Sequence, residues 1–180
     1  MRKRILIGLL IFIFCLPKLV YAVEISAVSA VVIDRITGRV LYEKNASQKR
    51  AMASTTKIMT ALVALEDGRL EDTVTVSKKA TLTEGSSMWL TQGEKLPLND
   101  LLYGLMLNSG NDAAVAIAEH IAGSTEQFVS RMNQKAKEIG ANNTSFATAN
   151  GLDATTHYST AYDMALITRQ AFTSPLFAKI

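Results

Sequence analysis

Residues 51–68, AMASTTKIMTALVALEDG, restrict the fold more than any other stretch of this chain. From Ile58 to Leu65 every residue but Thr60 is apolar. A helix apolar around most of its circumference belongs in a protein interior. The 180 residues are enough to bury it inside one domain, and not comfortably enough for two. Lys57 stands one turn into this segment, three residues after Ser54. At that spacing in a helix the two side chains share a face. A serine hydroxyl is a weak nucleophile until a base takes its proton. Burial disfavours the charged form of lysine, so an inward-facing Lys57 is expected to be a neutral base at rest. The helix N-terminus would further favour negative charge developing on Ser54. A plainer reading also fits: Ser54 caps the helix and Lys57 snorkels to the surface. S-x-x-K arises by chance about once in a chain of this length, so the motif alone does not decide between them.

The N-terminus, MRKRILIGLLIFIFCLPKLVYA, has the layout of a secretory signal peptide over residues 1–22: basic residues, an apolar run from Ile5 to Leu16, then Val20-Tyr21-Ala22. That run is short for a membrane span, although an uncleaved anchor has the same flanks. Either way the rest of the chain is expected to be exported and extracytoplasmic. The segment holds four of the nineteen basic residues and none of the sixteen acids, so without it the net charge goes from +3 to −1. No nucleic-acid footprint is then expected. Cys15, the only cysteine, is in the same segment, which excludes disulfides, thiol catalysis and Cys-based zinc sites from residues 23–180.

Along those residues, ISAVSAVVID and RVLYEKN around the turn RITG predict an N-terminal hairpin. Gly68 is expected to cap the buried helix at its C-terminus. TVTVS alternates like a strand, and residues 84–97 read as loop. Leu98, Leu101, Leu102 and Leu105 predict a helix before Asn108, and AAVAIAEHIAG one after NSGND. Ser124 with Gln127 predicts a capped helix that stops at Gly140, and a last helix is expected from Ser159 or Thr160 to Phe172. The fold class is α/β or α+β, a hairpin followed mainly by helices. A two-stranded hairpin is marginal alone, yet nothing after residue 145 reads as a strand.

The loop Asn108-Ser109-Gly110-Asn111 between two apolar helices can project a hydroxyl and an amide into one cleft. Ser109 there could relay a proton between Lys57 and a leaving group, with Asn111 donating to a substrate carbonyl. S-x-x-K followed by S-x-N is the signature of penicillin-binding proteins and serine β-lactamases. The blocks VVIDRITGRVLYEKN, ASTTKIMTALVALE, LLYGLMLNSGNDAAVAIAEHIAG, FVSRMNQKAKEIGANNTSFATANGLD and HYSTAYDMALITRQAF narrow the match. In sequence and order they resemble serine D-alanyl-D-alanine carboxypeptidases, the low-molecular-mass penicillin-binding proteins. The resemblance implies a penicillin-binding protein/serine β-lactamase-like fold and removal of the terminal D-Ala from peptidoglycan stem peptides through an acyl-enzyme. β-Lactams would be covalent inhibitors, and no cofactor or metal is implied. By position Ser54 would be the nucleophile, Lys57 its base, Ser109 the second-motif proton carrier and Asn111 a substrate contact.

Two departures stand out. Asn150 precedes Gly151 where many relatives have His. K-[ST]-G, the family's third motif on a cleft-lining strand that also supplies an oxyanion donor, occurs nowhere. Residues 23–180 are therefore expected to be an incomplete domain, without the C-terminal sheet strands or the C-terminal membrane anchor common in relatives. An inactive exported remnant or penicillin-binding fragment is the alternative to an active enzyme. A class A β-lactamase fits less well, because E-x-x-L-N is absent from residues 112–180. His120 and His157 lack metal-ligand spacing. Met88 and Trp89 either border the cleft or anchor a loop. Arg131, Lys135, Lys137 and Glu138 read as a solvated helix face.

Overall fold

The computed structural model describes residues 24–180; the signal peptide expected over residues 1–22 lies outside the described residues. At the centre is α1, Thr56–Asp67, with Thr56, Lys57, Met59, Thr60, Ala61, Leu62, Val63 and Ala64 all buried. Its burial needs partners on several sides, and four later helices supply them. These are α3 (Leu98–Leu107), α4 (Asn111–Ala122), α5 (Thr125–Ile139) and α6 (Ala161–Ala171). The predicted leucine stripe of α3 faces inward, with Leu98, Leu101, Leu102 and Leu105 fully buried. In α4 the run Ala113–Ala118 is buried, and its small side chains let the backbone approach α1 and α3 closely. Only Phe128, Met132 and Ala136 of α5 are buried, the four-residue spacing of a single inward stripe.

The hairpin forms from β1 (Ala30–Ile33) and β2 (Val40–Lys44), antiparallel, with Ala30 opposite Lys44 and a shift of register between Val32 and Ile33. The paired strand is shorter than the ten residues expected. Asp34 closes the turn by accepting from the Thr37 N–H and hydroxyl at 2.6 and 2.7 Å. α6 packs on β1, and Arg169 donates to the turn carbonyls of Arg35 and Ile36, both at 2.8 Å. A second antiparallel pair joins β3 (Thr73–Thr75) to β4 (Lys95–Pro97). Residues 95–97 were expected to be loop. Three residues carry too little pattern to show a strand, and the pairing with β3 makes it one. The one-turn helix α2 (Lys78–Thr81), capped by Ser77, was not expected either. After Pro97 the described residues contain no further strand, only the bridges Arg50–Ser159 and Ser145–Tyr158.

Two other expectations change in their reasons. Gly68 does end α1, but in an extended conformation rather than a left-handed one. Glycine is needed there for room, since a Cβ would lie 2.5 Å from Leu98 Cδ2 and 2.6 Å from Ile121 Cδ1. Arg131 and Lys135 do not simply face water: they pair with Asp67 and Glu66 at the end of α1, at 2.8 and 2.7 Å. The last helix begins as predicted, with Thr160 Oγ1 accepting from the Asp163 N–H.

Candidate active site

The turn before α1 is unusual. Ala53 has φ +44°, and Ala53–Thr55 form a single 3-10 turn that carries Ser54. Two contacts from residues about a hundred positions later fix this turn. Gly151, at φ +93°, lies so close that a Cβ would run into the Ala53 carbonyl oxygen and approach Thr56 Oγ1 to 3.1 Å. His157 Nε2 lies 2.8 Å from Thr56 Oγ1. His157 Nδ1 accepts from the Ala147 N–H at 3.0 Å, so Nε2 carries the ring proton and donates to Thr56. Burial lowers the pKa of His157 against an opposing effect from Asp153, in keeping with this neutral tautomer.

Lys57 points inward from α1 and is 2% exposed. Its Nζ donates to Asn150 O at 2.6 Å, Asn111 Oδ1 at 2.7 Å and Ser54 Oγ at 3.2 Å. The two carbonyl-type oxygens are the closer pair. A neutral amine can give its two hydrogens to them and keep its lone pair on the Ser54 hydroxyl. Burial lowers the pKa of Lys57 from 10.5 to about 8. At pH 7 such an amine is mostly ammonium, so the expected neutral resting state is corrected: the shift has the expected direction and stops short. Burial is the cause of the shift, and it leaves the pKa above neutrality. The contact from Asn150 is made by its backbone carbonyl, so an asparagine at this position serves Lys57 as well as another side chain.

Ser109 sits between α3 and α4 at φ +54°, and its hydroxyl donates to Ser54 Oγ at 2.9 Å. Asn111 begins α4. While Oδ1 accepts from Lys57, its Nδ2 donates to Glu84 O at 2.6 Å, leaving one N–H of the amide for another acceptor. The four candidate residues, up to 57 positions apart in sequence, thus form one connected hydrogen-bonded cluster. Sequence reasoning missed Thr56, His157, Gly151 and the Asn150 carbonyl. The only local signal for them was the Asn-Gly pair at 150–151. It also missed Asp112, 2% exposed, whose carboxylate accepts from Ser87 Oγ (2.6 Å) and the N–H groups of Met88, Leu90 and Ala113. Burial opposes that charge, but these bonds outweigh it and hold the carboxyl below the usual aspartate range. Among the described residues, no cluster of three His, Cys, Asp or Glu could hold a metal.

The model of the D-alanyl-D-alanine carboxypeptidase family, peptidase S11, matches residues 17–179. The chain belongs to this family. It is 48% identical over 150 residues to the D-alanyl-D-alanine carboxypeptidase DacF of Bacillus subtilis, covering 81% of this chain and 39% of that one. With DacC of Escherichia coli it shares 42% over 165 residues, covering 86% and 41%. The crystal structure of the D-alanyl-D-alanine carboxypeptidase from Mycobacterium tuberculosis superposes with a TM-score of 0.85 at 36% identity, over 89% of this chain and 61% of that one. The fold is therefore that of the penicillin-binding proteins, as the motifs implied. The chain spans about two fifths of the length of these curated relatives.

Gly151→Ala is expected to cost about 2 kcal/mol through strain and displaced backbone. For a domain of this size that is a fall of roughly 4–8 °C in melting temperature. Thermal unfolding followed by circular dichroism measures it. An unchanged melting temperature would mean that the 150–152 loop does not brace the Ser54 turn.

Proposed function

We propose that this S11 chain carries the acylating site of a serine D-alanyl-D-alanine carboxypeptidase, which removes the terminal D-Ala of peptidoglycan stem peptides. The observation that supports it is Ser54 Oγ lying 3.2 Å from the buried Lys57 Nζ and 2.9 Å from Ser109 Oγ. Lys57, in its neutral form, takes the Ser54 proton as Oγ attacks the carbonyl carbon of the penultimate D-Ala. The proton taken by Lys57 is relayed through Ser109 to the nitrogen of the leaving D-Ala, and the C–N bond breaks to leave an ester on Ser54. Water then hydrolyses that ester. Asn111 contributes twice, through Oδ1 to Lys57 and through its remaining N–H to the substrate. A β-lactam follows the first half of this path, its amide bond opening onto Ser54. Such a substrate lies outside the cytoplasmic membrane, consistent with a signal-like N-terminus and a protein exported to the cell-wall side.

The test is intact mass after incubation with benzylpenicillin, on protein whose folding is checked by circular dichroism, followed by peptide mapping. The reading expects a gain of one penicillin mass, located on the peptide containing Ser54. A folded protein with no adduct, or an adduct elsewhere, would overturn it.

A further inference from the structure

We propose that Trp89 is a specificity-determining residue, its indole a stacking platform beside the Ser54–Ser109 pair for an uncharged apolar side group of the acyl donor. This rests on the acyl-transfer reading above and extends it to the kind of donor preferred.

Trp89 is the only tryptophan in the chain. It is 85% exposed, with φ +63°. Neither burial nor backbone preference accounts for an indole there, because the left-handed region suits glycine or asparagine better. Mobility does not account for it either. The N–H groups of Met88 and Leu90, on either side, donate to Asp112 at 3.0 and 3.1 Å. The N–H of Trp89 donates to Ser87 Oγ at 2.8 Å, and Ser87 is itself bonded to Asp112. Met88 is packed against Gly104 and Gly110, filling the room a Cβ on Gly104 would need, and Leu90 is buried. With both neighbours anchored inward and the backbone held, the indole is directed outward.

The loop also runs along the edge of the site. Met88 Cγ would lie 3.1 Å from a Cβ on Gly110, the residue after Ser109. The Asn111 N–H donates to Ser86 O at 2.7 Å. An exposed indole on a held backbone has only two side-chain torsions to fix on binding and offers a large flat apolar face. From Gly85 to Gly93 the loop holds no charged residue, which favours an uncharged aromatic or aliphatic group over an ionic one.

Two penicillins separate the roles: benzylpenicillin, and its acetyl analogue, which keeps the amide and lacks the phenyl ring. Acylation of the wild type, Trp89→Ala and Trp89→Phe is followed by intact mass. In Trp89→Ala the rate with benzylpenicillin is expected to fall about ten-fold, the rate with the acetyl analogue to change less than about two-fold, and Trp89→Phe to recover most of the loss. Equal slowing with both compounds, or no slowing, overturns the proposal. In parallel, Trp89 emission is titrated with both compounds in Ser54→Ala, which needs no acylation. A saturable change with benzylpenicillin alone supports the platform, and no change sinks it. If the wild type forms no adduct but this titration saturates, the Ser54 reading fails while the platform stands.

Discussion

Lys57→Met is expected to acylate with benzylpenicillin about 10³-fold more slowly than the wild type, the usual scale for losing a positioned general base. Methionine fills a similar space and supplies no lone pair basic enough to take the Ser54 proton. The wild-type rate should rise with pH through about 8, as the fraction of neutral Lys57 increases, and level off above it. The variant should lack this limb. A variant that keeps the limb would assign the base to another group. The same shift has a second, separable signature in stability. Between about 8 and the ordinary lysine value of 10.5, the unfolded chain holds a proton that the folded chain has released. Stability therefore rises with pH across that window in the wild type, and this contribution disappears with Lys57.

Asp112→Ala is expected to destabilise the protein by about 4 kcal/mol, because it leaves the N–H groups of Met88 and Leu90 and the Ser87 hydroxyl without their acceptor in a buried setting. That is a large part of the ~5–15 kcal/mol typical of a domain. Urea unfolding followed by circular dichroism measures it. Asp112→Asn keeps one acceptor oxygen and is expected to fall between the two. Loss of less than about 1 kcal/mol in the alanine variant would show that water replaces the carboxylate, and that the 86–90 loop is not held by it.

The parts of the fold readable in the sequence are those encoded locally. The inward leucines of α3, the Thr160 and Ser124 caps, and the hairpin turn all depend on residues a few positions apart, so their spacing shows them. Ser54, Lys57, Ser109 and Asn111 could be singled out because each motif is local, although the hydrogen bonds joining them are not. Asn150 could not be found this way: it serves Lys57 through a backbone carbonyl, which any residue has. Gly68 and Gly151 were visible as glycines, but the reason for each is a neighbour distant in sequence. The apolar helix face reveals that Lys57 is buried and its pKa lowered, but not how far the shift goes, nor the three oxygens that converge on Nζ from distant segments. β4 escaped because its pattern is shorter than its pairing.

The bonds that complete the site also order its assembly in time. Ser54 meets Ser109 across 55 residues, Lys57 meets Asn150 across 93, and Thr56 meets His157 across 101. Contacts of such separation form after local helices, because the loops they close must be ordered first. During synthesis, α1 and α3–α5 can be formed while the serine turn still lacks its brace. On the function proposed above, competence to take up a β-lactam would arrive with the last of these closures, after residue 157 has emerged, and the rate at which acylation appears on refolding would be a clock for that step rather than for helix formation.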